Sequence, residues 1–142
     1  MAQEYSLQSF IRDMDDITRS ENSPAIIVAA ARPLLAKLVQ RPDCIEPKFK
    51  QRPAKEYGRY MLHRAPRFNV TAVVWGPGDA AKAHNHDTWG LVGVVENEIQ
   101  ETRFRRLDDC SKAEYAKLEI KDVLKNSVGM VSCLVPPGDD IH

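Results

Sequence analysis

Leu7, Phe10, Ile11, Met14 and Ile17 recur at the spacing of one helix face, with charged and small polar residues between them. A second apolar run, AIIVAAARPLLAKLV, is preceded by Ser23 and Pro24, an N-cap followed by proline at the first helical position. The first 40 or so residues therefore predict two helices. Pro33 lacks the donor for a helical hydrogen bond, so the second helix is expected to kink or divide there.

From Tyr57 onward the pattern is that of strands. YGRYMLHR, FNVTAVVWG, HDTWGLVGVV, EIQETRFRRL, KLEIKDVL and VGMVSCLV are rich in β-branched and aromatic residues. WGPGD, LKNSVG and VPPGDD lie among them as tight-turn signals. Short strands at this spacing predict a sandwich or barrel with the helices packed outside it, a mainly β class. With 142 residues the chain has room for one core and one domain: a helical segment over 1–45 and a β-barrel over 46–142.

Composition narrows the partners. Twenty basic residues balance twenty acidic ones, and no run of Lys or Arg is long enough for a nucleic-acid tail or a membrane patch. A small-molecule partner is the expectation. MAQEYSLQSFIRDMDD has neither the basic start nor the apolar stretch of an export signal, and no apolar run approaches the roughly 18 residues of a spanning helix. Cys44, Cys110 and Cys133 are odd in number and far apart, which encodes neither a disulfide framework nor a cysteine-based zinc site. A cytoplasmic protein fits all of this.

The candidate chemistry lies in AHNHDTWG. Side chains two apart on an extended segment share a face, so His84 and His86 can reach one metal ion while Asn85 and Asp87 point the other way. Two histidines at this spacing also occur by chance on an exposed strand end. Context adds to them: Gly78 lies five residues before His84, and Gly129, an apolar strand, Pro136, Gly138 and His142 follow.

This pairing resembles the two cupin motifs, G-x5-H-x-H and P-x-G ahead of a last histidine. The resemblance covers roughly residues 57 to 142. It implies a cupin-type double-stranded β-helix, a jelly-roll barrel, in which His84, His86 and His142 converge on a metal. Cupins commonly carry a glutamate where this chain has Gly90, and often end the first motif on glycine where it has Asn97. Asn tolerates the left-handed backbone such a turn needs. The missing carboxylate leaves three neutral imidazoles and a full double positive charge on a ferrous ion, which an anionic ligand such as a thiolate would neutralise.

With YGRYMLHRAPRFNVTAVVWGPG added, the chain looks like a thiol dioxygenase of the cysteine dioxygenase family. Arg59 lies where that family holds the substrate carboxylate, a task suited to the planar fork of arginine, and Tyr57 two residues earlier should share its strand face. The plain alternative for Arg59 is a solvated strand residue. The resemblance implies Fe(II), O2 and a small carboxylate-bearing thiol such as cysteine or 3-mercaptopropionate, with both oxygen atoms transferred to sulfur as a sulfinate. It implies no cysteine–tyrosine crosslink, since Gly90 occupies the cysteine's place. In that family further strands follow the third histidine and carry a Ser-His-Tyr set. Here the barrel reads as truncated after His142, with an open sheet edge that would invite pairing between chains into a homo-oligomer.

Two other functions stay open on the same residues. Three histidines and a water suit zinc in a hydrolase or isomerase, and a non-catalytic cupin would bind a small acid in the barrel mouth. His63 reads as a pocket-lining or half-buried structural residue, and Trp75 and Trp89 as core or pocket wall. Asp139 and Asp140 read as turn residues or as partners for the second ring nitrogen of His142. Glu96, Glu98 and Glu101 read as a solvated strand or hairpin.

Overall fold

The computed structural model describes residues 4–142. Helix α1 spans Leu7–Ser20 and α2 spans Pro24–Val39; two short 3-10 turns, Pro42–Cys44 and Pro47–Lys50, lead out of the helical segment. Residues 1–3 of the expected helical segment lie outside the described residues. No helix is long and apolar enough to cross a membrane among the described residues.

Ser6 caps α1, its hydroxyl accepting from the Ser9 backbone N–H at 3.1 Å. One of the orphan donors of the first turn is thereby satisfied. Ser6→Ala is expected to lower stability by about 1 kcal/mol and Ser6→Gly by only a few tenths, read from urea midpoints. An unchanged midpoint for Ser6→Ala would show that the cap contributes nothing.

The apolar stripe read from α1 is the one that packs. Phe10 and Met14 are buried with Ile27, Ala31 and Leu38 of α2, and Phe68 joins them from the strand region. Each of these side chains apart from Ala31 contributes roughly 1.5–3 kcal/mol by leaving water. Trp89, half-buried, packs against this cluster, the first of its two readings. Pro33 neither divides α2 nor ends it. Pro33 is exposed, and so is Ala29 one turn earlier, whose carbonyl loses its donor on the solvent side where water replaces it. Ala31 and Leu38 on the opposite face keep the helix seated.

All six expected strands form: β1 Gly58–Arg64, β2 Asn69–Val74, β3 Gly90–Gly93, β4 Glu98–Arg106, β5 Leu118–Ser127 and β6 Val131–Leu134. Their pairing is simpler than a barrel. β1 pairs with β2, β3 with β6 and β4 with β5, each pair antiparallel, giving three two-stranded sheets with no closed barrel among the described residues. The expected sandwich or barrel is thus reduced to its coarser content, two helices beside antiparallel β pairs with more strand than helix. The expected strand HDTWGLVGVV shortens to its Gly90–Gly93 part, because residues 84–89 have no ladder partner beyond one local pairing described below.

α2 packs on β3 and β6. At Gly93 a β-carbon would come within 2.7 Å of Val39 Cγ1, so glycine is what lets the helix end approach the strand. The turn after β2 is held by the Asp79 N–H donating to the Gly76 carbonyl at 3.0 Å, with Gly78 at φ 84°. That left-handed backbone is the reason for glycine there. Asn97 takes φ 60° between β3 and β4, the conformation anticipated for it.

Asp79 receives a fork of two bonds from Arg52, Nε to Oδ2 at 2.6 Å and Nη2 to Oδ1 at 2.8 Å, and a third from the Gly76 N–H at 2.6 Å. The Arg52 bonds, then the Gly76 N–H, hold its carboxyl at about 2 against an ordinary 3.8. A depressed native value means the stabilisation is complete above the unfolded value of 3.8 and is lost as pH falls towards about 2. Carbonyl NMR of Asp79 is expected to titrate near 2, moving back towards 3.8 in Arg52→Ala. A wild-type midpoint at 3.8 would show the fork does not form.

Candidate metal centre

His84 and His86 lie in an irregular stretch before β3, not on a regular strand. Their shared face is set by local pairing. The His84 N–H donates to the His142 carbonyl at 2.9 Å and the His142 N–H to the His84 carbonyl at 3.0 Å, as in one hydrogen-bonded pair of an antiparallel ladder. The segment bearing His142 is tied in turn to β4, since the Phe104 N–H donates to the Ile141 carbonyl at 3.0 Å. The two histidine-bearing segments are thus joined to each other and, through Ile141, to β4.

The three rings form a nearly regular triangle. Centroid separations are 4.9 Å for His84–His86, 4.8 Å for His84–His142 and 5.0 Å for His86–His142. One ligand atom from each lies within 4.8 Å of the others. Between Nε2 of His86 and Nε2 of His142 the distance is 2.9 Å. Two ring nitrogens face each other so closely only with a proton or a cation between their lone pairs. It is also close to the spacing of two nitrogens each about 2.1 Å from one ion at right angles.

Two of the rings are held from behind. His84 Nδ1 is 2.6 Å from the Lys82 carbonyl, which can only accept, so the proton sits on Nδ1 and Nε2 carries the lone pair. His142 Nδ1 is 3.2 Å from Glu101 Oε1, which fixes the same tautomer. Partial desolvation by its neighbours pushes the imidazolium value of the exposed His86 down, and the His142, His84 and Arg59 charges add to this against an opposing pull from Asp140. A neutral His86 is the ligating form. The donor set, three imidazoles with Nε2 turned inward, fits a divalent transition metal.

Glu101 corrects the sequence reading. It is not part of a solvated strand face; it is 7% exposed, on the inner face of β4 beside Arg103. Ser132 Oγ donates to its Oε2 at 2.6 Å and Asn126 Nδ2 at 3.1 Å, while Arg103 Nη1 stands 3.5 Å from Oε1. Burial pushes its carboxyl up, but the bonds from His142 and Ser132 and the Arg103 charge outweigh that and leave it below the usual carboxylate range. The available signal was Glu101 and Arg103 two apart, opposite charges on one strand face next to Ile99. Glu96 and Glu98 are exposed as expected.

Asp139 and Asp140 do not contact the second ring nitrogen of His142. Asp139 Oδ1 accepts from Arg103 Nη2 at 2.8 Å, and Asp140 Oδ2 accepts from the Asp87 N–H at 3.1 Å, anchoring the two histidine segments to each other. Asp87 itself accepts from Asn85 Nδ2 at 2.8 Å, turned to its neighbour.

Arg59 projects exposed from β1, near enough to His86 for its charge to act there. Among the described residues it enters no salt bridge. Tyr57 lies one residue before β1 with its ring stacked on Trp75, centroids 4.5 Å apart, a cross-strand pair beyond Gly58 and Val74. Tyr57 is half-buried and Arg59 exposed. His63 is half-buried against Phe68 at 5.5 Å, the structural role of its two readings. No protein-family model matches the chain.

Proposed function

We propose that the chain is a ferrous thiol dioxygenase, oxidising a small carboxylate-bearing thiol with O2 to the sulfinate, and that its three β pairs belong to a cupin-type jelly roll. The convergence of His84, His86 and His142, with the Nδ1 atoms of His84 and His142 already committed, carries this reading. When bound, ferrous iron supplies the redox chemistry that joins O2 to sulfur. A thiolate and O2 together make a sulfinate, so no further reductant or oxidant enters the balance.

The protein's own part is orientation. Lys82 and Glu101 keep the imidazoles of His84 and His142 turned inward. No carboxylate stands at Gly90, which favours an anionic thiolate as the ligand that neutralises the ion. Arg59, in no salt bridge among the described residues and with its charge felt at His86, takes the carboxylate through a charge-assisted fork and so fixes the distance between the carboxylate and the thiol sulfur. The three free cysteines, Cys44, Cys110 and Cys133, suit a reducing, cytoplasmic compartment.

Anaerobic purification followed by metal analysis and oxygen uptake with cysteine, 3-mercaptopropionate and mercaptosuccinate tests the proposal. Near-stoichiometric iron and thiol-dependent uptake with sulfinate as product are expected. Zinc, with no uptake for any thiol after iron loading, would sink it and leave a hydrolase, an isomerase or a binding protein.

A further inference from the structure

We infer that Glu101 is a positioning residue of the metal centre, holding His142 by its Nδ1–H and lending the site, one bond removed, the negative charge that Gly90 does not provide. The inference rests on reading His84, His86 and His142 as metal ligands and deepens it.

The placement of Glu101 is independent of His142. Its Oε2 is fixed by Ser132 of β6 and Asn126 of β5, and Arg103 stands beside Oε1. Arg103 is itself buried and locked, donating to the Cys133 carbonyl at 2.8 Å and to the Asp139 carbonyl at 2.9 Å. Three strands and the segment before His142 therefore hold this carboxylate as a rigid platform. A buried carboxylate is costly unless hydrogen-bonded and paired, and here both oxygens are occupied. Oε1 is the one that meets the imidazole. A carboxylate on Nδ1–H selects the tautomer with a free Nε2, fixes the ring plane and strengthens Nε2 as a donor to a cation. The site is then not three uniformly neutral imidazoles: His142 is the electron-rich member, and the charge it draws on sits behind it, leaving the open face to substrate.

The test is an anaerobic Co(II) titration of wild type, Glu101→Gln and Glu101→Ala, followed by the visible bands of the ion, with the thermal midpoint of each metal-free protein recorded. Glu101→Gln keeps shape and acceptor but loses charge, and is expected to weaken Co(II) affinity about tenfold; Glu101→Ala is expected to approach a hundredfold. Nitrogen NMR is expected to find the His142 proton on Nδ1 in wild type and Glu101→Gln, and shared with Nε2 in Glu101→Ala. Should Glu101→Ala not fold, Glu101→Gln carries the test alone. Co(II) affinity equal to wild type in the folded variants, whatever their thermal midpoints, would overturn the role of Glu101 while leaving the metal centre standing. A wild type that binds no Co(II) would overturn the metal centre itself.

Discussion

His86→Ala is expected to lose metal binding and thiol-dependent oxygen uptake together while keeping its fold. Residues that merely orient a ligand cost about 10–100-fold in metal affinity when removed, so the loss of a ligand should exceed that. Among the described residues, the two nearest carboxylates in sequence to the histidines already have partners. Asp87 is turned to Asn85, and Asp140 is occupied by the Asp87 N–H. His86 is exposed and belongs to no core cluster, so truncation removes chemistry rather than packing. Iron content by emission spectroscopy and oxygen uptake on the same sample, with circular dichroism as the folding control, check this. Stoichiometric iron in a folded His86→Ala protein would show that the ion is held elsewhere.

For Arg59→Ala the expected result is a selective loss. A charge-assisted hydrogen-bonded pair is worth about 1.5–3 kcal/mol, so kcat/KM for a thiol acid should fall roughly 10–150-fold. A thiol of similar length without a carboxylate should lose nothing. Arg59→Lys keeps charge but not the planar fork and should fall between. Arg59 is exposed and makes no salt bridge among the described residues, so removing it should leave the melting temperature unchanged. Equal losses for both thiols would mean that Arg59 acts on the site as a whole and holds no carboxylate.

Local features were readable from the chain because local physics produces them. The apolar stripe of α1, the proline entry of α2, the six strand segments and the left-handed turn at Asn97 each depend on residues within a few positions of one another. What failed was non-local. Pro33 sits within α2 because its exposed side forfeits only one bond while Ala31 and Leu38 stay packed, a tertiary effect invisible in the run itself. The histidine pair lies in an irregular stretch because its partner is a segment far along the chain and not a neighbouring strand. Glu101 was read as solvated for the same reason: its donors come from Asn126, Ser132 and His142. The convergence of the three histidines was anticipated by motif resemblance, which encodes the long-range pairing that periodicity cannot.

The backbone bonds joining His84 to His142 set an order of events in folding. β1–β2 and β4–β5 are hairpins between successive strands, whereas β3 pairs with β6 across the β4–β5 hairpin and His86 meets His142 at a separation of 56 residues. Closing so long a loop costs entropy before any contact offsets it, so this junction is assembled late. An ion captured there binds only chains that have closed the loop, and at a thousand times its dissociation constant it would add about 4 kcal/mol to the native state. The same three imidazoles that would hold the ion would then make it a clasp, one that joins the segment between β2 and β3 to the segment after β6 and lets metal supply govern how much of the chain persists folded.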